Sequence, residues 1–272
     1  MPKTQLSTLS ADGVLHLSCP RSWKEMTQEQ LRYALHVIGC GMYSSVEGRT
    51  LMLLRFTGIE VKKNTPYGWA CCIPVGKPTG TRARRHFFFL QSWQVQDMIR
   101  QLEYVDSYDD AGVRLESIRG FKAVDVLLRG VPFYFYLYAE RYYQLYLKEK
   151  KQKFADKMAG ALYLSEQIDS KTGLQKMPEL SLDVAETTAC IMWFSYVKKA
   201  FSRYFPHFFK PVSGASASMN LQAQTDAQIR ALTDGDITKE QQVYNADTWR
   251  ALTELDAKAR EAEEFRKKYP SK

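Results

Sequence analysis

The segment GKPTGTRARRHFFF, residues 76–89, sets Lys77, Arg82, Arg84 and Arg85 against Phe87, Phe88 and Phe89. Cations neutralise phosphates and aromatic rings stack on bases, so this combination is one that binders of single-stranded nucleic acid use. A second basic run, Lys148, Lys150, Lys151 and Lys153, closes the aromatic stretch VPFYFYLYAERYYQLYLKE. Both runs also have a structural reading. Aromatic triplets in strands ordinarily belong to a core, and lysine runs ordinarily form the solvated face of a helix.

Residues suited to covalent or metal chemistry are scarce. VGKPTGT, residues 75–81, has the outline of a phosphate loop, but Pro78 follows Lys77 where Ser or Thr is needed, and Cys71 stands where the first glycine should be. Proline also removes the backbone N–H groups that cradle phosphate. The five cysteines (Cys19, Cys40, Cys71, Cys72, Cys190) and four histidines (His16, His36, His86, His207) show no zinc-ligand spacing. Asp106, Asp109 and Asp110 form the best carboxylate cluster for chemistry and could hold a divalent ion, but read as turn chemistry between two elements. The expectation is therefore no catalytic residue, no metal and no cofactor.

Composition sets the frame for these residues. Of 272 residues, 45% are hydrophobic and 25% charged, the range of an ordered chain that can bury a core. No window holds eighteen charge-free apolar residues and the opening lacks a signal-like apolar run, so no membrane association and a cytoplasmic location are expected. Sparse, odd-numbered cysteines agree with reduced core thiols. The net charge is +8, with 29 Lys/Arg against 20 Asp/Glu in residues 1–210 and nine against ten beyond. An acidic partner would meet the first part.

The elements that must position these residues follow from pattern. GVLHLSC (residues 13–19) alternates like a short strand, and Thr27 with Gln30 opens a helix as a capping box. EGRTLMLLRFTGI reads as a second helix, residues 62–85 as a loop or irregular hairpin, and HFFFL as a strand leaving it. Ser92 is a candidate N-cap, and VRLESIR and VDVLLRG are candidate strands. The tyrosine-rich stretch from Val131 reads as a core helix, with Phe135, Tyr138, Tyr142 and Leu145 on one face; another helix runs from Ser181 to Pro206. The fold class is α+β, predominantly helical: a main domain over 1–210 with a few short strands in its N-terminal half, a Gly/Ser/Ala linker over 211–219, and a helical extension over 220–272.

Within that extension Thr238 and Gln241 form a further capping box, and Val243, Ala246, Trp249, Leu252, Leu255, Ala259, Ala262 and Phe265 make one long stripe. Trp249, Leu252, Leu255 and Phe265 are the candidate partner-binding anchors. The stripe can equally cover the chain's own main domain.

Four segments together resemble prophage-encoded proteins of virion-morphogenesis gene clusters: PRSWKEMTQEQLRYALHVI, MWFSYVKKAFSRYFPHFFKP, the linker, and the end from ALTDGD to YPSK. Within those, the plan is similar to tail assembly chaperones. That resemblance implies a protein of the bacterial host cytoplasm, without catalytic residues, that binds a phage structural protein such as the tape-measure protein, with a homo-oligomer as a further option. The expected function is thus assistance to tail assembly by protein contact. The alternative is a basic nucleic-acid-binding accessory protein acting through Lys77, Arg82, Arg84, Arg85 and the lysines at 148, 150, 151 and 153.

Overall fold

Thr27 starts the first long helix because its hydroxyl accepts from the Gln30 N–H at 3.2 Å while the Gln30 carbonyl oxygen Oε1 accepts from the Thr27 N–H at 3.0 Å. The pair satisfies two backbone donors that a helix start leaves open. Ser44 and Glu47 repeat the device for the next helix. The computed structural model describes residues 8–9, 14–75, 84–108, 111–170, 173–210 and 221–269.

These residues form two compact units, Met1–Val113 with Val184–Thr188, and Arg114–Asp183 with Ala189–Lys272. The division thus differs from the expected 1–210 and 220–272, and the C-terminal helices belong with the second unit. The linker 211–219 lies outside the described residues.

In the first unit, β1 (Thr8–Leu9) pairs with β2 (Leu15–His16), shorter than the alternation of residues 13–19 implies. Next come α1 (Gln28–Cys40) and α2 (Ser45–Thr57), which pack on each other. β3 (Glu60–Thr65), β4 (Gly68–Val75) and β5 (Arg84–Gln91) form an antiparallel sheet in that order. Of the loop or irregular hairpin expected over residues 62–85, the described part is the hairpin, with a register shift between Val61 and Lys63. Pro66 and Tyr67 make the tight β3–β4 turn between paired Thr65 and Gly68, and residues 76–83 lie outside the described set.

α3 (Ser92–Arg100) packs on β4 and β5, and its buried Val95 and Ile99 join Cys71, Ile73 and Leu90 in the core. Its cap position is Gln91, whose N–H donates to Gln94 Oε1 at 2.9 Å, instead of Ser92. Arg32 reaches the buried Glu186 carboxylate at 3.0 Å.

The second unit opens with β6 (Ser117–Ile118) and β7 (Phe121–Ala123), which join β8 (Tyr163–Leu164) in an antiparallel sheet. VDVLLRG is not a strand. Asp125 accepts from the N–H groups of Leu127 and Arg129 at 2.9 and 3.0 Å, which folds this segment into a turn. α4 (Phe133–Glu149) stops at Lys150, which has φ 53°, and α5 (Gln152–Leu162) resumes beside it. α6 (Val184–Tyr204) supplies the facing core surface.

Tyr136 lies 5.6 Å from Phe201 and Tyr143 5.2 Å from Phe194, ring centre to ring centre. Trp193 donates to the Val126 carbonyl at 2.8 Å, and Tyr163 to that of Leu115 at 2.9 Å. Each buried polar tip has its partner, as a buried indole or phenol requires. The aromatic stretch is therefore the spine of this unit's core.

The chain ends in α7 (Leu221–Thr233), α8 (Glu240–Asn245) and α9 (Thr248–Lys268). The long stripe is broken, because Asp247 takes the cap position of α9 and accepts from the Arg250 N–H at 3.1 Å. A single 3-10 turn over Ile237–Lys239 precedes α8, and Asp236 caps it by accepting from the Thr238 N–H at 3.0 Å. Among the described residues the fold is α+β and predominantly helical.

Candidate functional site

Directly opposed residues in an antiparallel ladder share a face. Register therefore assigns the two faces of the β3–β5 sheet. Arg85 pairs with Pro74, Phe87 with Cys72 and Phe89 with Ala70, while Cys72 and Ala70 pair in turn with Glu60 and Lys63. His86, Phe88 and Leu90 point to the opposite face, where α3 packs; there His86 and Phe88 stack at 6.1 Å.

The other face is open. Phe87 is 67% exposed and Phe89 49%, large values for phenylalanine, on β5 at the edge of the sheet. The middle strand carries only small side chains between them and β3, so the two rings rise above a shallow floor of Ala70 and buried Cys72. Exposed Tyr67 and Trp93 follow at the Gly68 end, with the Trp93 indole donating to the Gln91 side chain.

Charge on this face is one-sided. From residue 61 to residue 96 the sequence has no Asp or Glu. Glu60 is the exception at the margin, and it is held by Lys62 at 2.6 Å and Arg85 at 3.2 Å. The Lys62 hydrogen bond, with the Arg85 charge behind it, holds the Glu60 carboxyl below its ordinary 4.5. Its stabilising share is whole above that value and is lost as pH falls through the depressed one.

The other expected nucleic-acid contacts divide. Lys77 and Arg82 lie outside the described residues, and of Arg84 only the backbone place at the start of β5 is described. Lys148, Lys150, Lys151 and Lys153 are exposed where α4 meets α5 in the second unit. Lys150 lies 5.5 Å from the Tyr146 ring centre and Lys153 5.0 Å from that of Phe154, while Lys151 pairs with Glu149 at 2.7 Å. This run is a solvated helix junction backed by rings.

The expected partner anchors face inward. Leu252 is 0% and Leu255 4% exposed, and half-buried Trp249 packs on Phe201, Tyr204 and Phe205. Its indole donates to the Leu127 carbonyl at 2.6 Å, and Thr248 N–H donates to that of Val131 at 2.9 Å. Of the four, Phe265 alone is open, at 65%. The stripe reads correctly as apolar, but its first turns cover the second unit's own core.

Chemistry elsewhere stays thin. Asp106 pairs with Arg49 at 3.7 Å, and Asp109 and Asp110 lie outside the described residues. A cleft of about 630 Å³ in the second unit is lined by Lys122, Asp125, Arg129 and Glu166 together with apolar residues such as Phe121 and Val131. Among the described residues no three His, Cys, Asp or Glu side chains are grouped to hold a metal ion, and no helix is long and apolar enough to cross a membrane. Burial pushes the Cys19 thiol up to about 11, so at neutral pH it stays protonated and a poor nucleophile. Comparison with protein-family models, curated proteins and solved structures finds no match.

Two signals for the open face were present in the sequence. One is the acid-free run from 61 to 96. The other is strand alternation, which separates Phe88 from Phe87 and Phe89 instead of treating the triplet as one block. The exposure of Tyr67 and Trp93 had no sequence signal, because turn and helix-start aromatics are as often buried.

Proposed function

We propose that this chain is a non-enzymatic nucleic-acid-binding protein whose first unit presents the open face of β3, β4 and β5. One observation carries the reading: Phe87 and Phe89 stand exposed beside Arg85, with Lys63 across β4, on a sheet face that lacks acidic side chains apart from Glu60. An exposed apolar patch on a soluble protein marks a contact surface, and a cationic frame selects a polyanion for it.

The test is a salt titration of oligonucleotide binding. Each phosphate neutralised on a single strand steepens the plot of log affinity against log salt by about 0.7. Arg85→Ala is expected to weaken binding and flatten that slope. Glu60→Gln is expected to strengthen binding severalfold, since it releases Arg85 and Lys62 from their carboxylate. A flat salt response, or no gain in Glu60→Gln, removes the reading.

The virion-assembly reading retains one specific support. Phe265 and Tyr269 are exposed near the end of α9, their rings 4.9 Å apart, beyond the part of the helix that its own unit covers. Pull-down with a tape-measure protein should then fail in the Phe265→Ala, Tyr269→Ala double variant while its melting temperature is unchanged. Capture that is indifferent to both changes would dispose of that reading.

A further inference from the structure

The spacing of the two rings narrows the ligand. Residues two apart in a strand are separated by about 6.6 Å, because each residue advances the chain by roughly 3.3 Å. Bases along one strand of a duplex are only about 3.4 Å apart. Phe87 and Phe89 therefore cannot each take one of two consecutive bases while those bases stay stacked on each other. They can do so only if the strand is drawn out to about twice the duplex rise, which a single strand does freely but a base-paired helix does only by unstacking a step, at a cost in stacking energy.

The rest of the face suits such a strand. Ladder register places Lys63 across β4 from Phe89, two strand spacings away or roughly 10 Å, the far side of a floor built from Ala70 and Cys72. Arg85 continues the Phe87 and Phe89 row along β5. Rings on one margin and cations on both leave room for a base on the aromatic side and its phosphate toward the basic side. Small residues between them keep the floor clear.

Resting on the nucleic-acid reading above, we infer that the ligand is an extended single strand, with two consecutive bases unstacked from each other, one on Phe87 and one on Phe89. Stacking on a ring requires only a π-face, so recognition is sequence-tolerant. Glu60 has a place in this arrangement. It holds Arg85 against the sheet until a phosphate competes for the guanidinium.

The experiment uses the full chain at low salt with a short mixed-sequence strand, as DNA and as RNA, and with each strand annealed to its complement. Affinities are read by fluorescence anisotropy. At least one of the two single strands should bind more tightly than its duplex. Phe87→Ala and Phe89→Ala should each lower single-strand affinity by roughly 5- to 150-fold, leaving duplex binding and the salt slope unchanged. Phe89→Tyr, which keeps the ring, should retain most of the affinity. Both side chains are exposed, so circular dichroism of the variants should match the parent protein.

Equal affinity for strand and duplex, with ring removal harmless while Arg85→Ala still weakens binding, overturns this inference and leaves the broader reading standing. Absence of binding to any of the four probes overturns both, and assigns the aromatic face to a protein partner.

Discussion

Trp249→Ala is expected to lower the unfolding free energy by about 3 to 5 kcal/mol, at the upper end of single-residue effects. The indole lies 5.8, 5.0 and 5.4 Å from the ring centres of Phe201, Tyr204 and Phe205, and the Arg129 guanidinium covers it at 3.9 Å. Truncation removes all of these contacts at once and also strands the Leu127 carbonyl, which accepts the indole N–H at 2.6 Å. Urea unfolding followed by circular dichroism gives the number. Trp249→Phe should recover the ring packing but not the hydrogen bond, and fall between. If Trp249→Ala instead left stability untouched and abolished capture of a partner, the C-terminal helix would be an external docking element after all.

That variant also separates what pattern can and cannot say. Periodicity identifies an apolar stripe from Val243 to Phe265, of which the part around Leu252 and Leu255 is buried, while the helix breaks at Asp247 and Phe265 is open. Periodicity carries no information about what lies opposite, and a small polar linker upstream makes a tethered arm look natural. The deciding interactions are distant in sequence: Gly130 N–H to Asp247 at 2.6 Å, Phe133 N–H to the Ala246 carbonyl at 2.8 Å, and the Asp256 carboxylate accepting from His207 and Phe208. None of these has a local signature. The same limit explains α4, where helical spacing found the core helix but not the break at Lys150, since a lysine at positive φ follows no propensity rule.

Local chemistry was more legible. The capping pair Thr27 with Gln30 follows from side chains that act within one turn, and the second helix, expected over residues 47–59, runs over 45–57 from a Ser44 cap. The open sheet face sits between these cases. Its strand, its cations and its rings are all visible as residue types, yet β-structure is read through register, and register depends on where β3 and β5 meet β4. A shift of one residue would have buried Phe87 and Phe89 and exposed Phe88. What holds the register is therefore as informative about function as the rings themselves.

Gly68 is one such hold, and Gly68→Ala is the second large effect expected. Gly68 starts β4 at φ 145°, opposite Gln91, a backbone conformation that side-chain-bearing residues rarely adopt. A Cβ there would lie 2.0 Å from the Leu90 carbonyl oxygen and 2.9 Å from the Gln91 Cα, both main-chain atoms that cannot swing aside. Relief requires β4 and β5 to part at this end or to slip. The strained backbone costs about 1 to 3 kcal/mol, and ladder bonds lost with it raise the total to roughly 3 kcal/mol or more. Gly58→Ala is the control. Gly58 also has a positive φ, 76°, but nothing lies within 4 Å of its would-be Cβ, so only the conformational cost of about 1 to 2 kcal/mol applies. Thermal melts should therefore rank the two variants clearly apart. Because Phe89 adjoins Leu90, whose carbonyl the new Cβ would meet, Gly68→Ala should also weaken oligonucleotide binding at temperatures where the protein is still folded, whereas Gly58→Ala should not. Equal melting temperatures for the two variants would mean that the β4–β5 ladder yields easily at this point, and the fixed ring spacing would then lose its support.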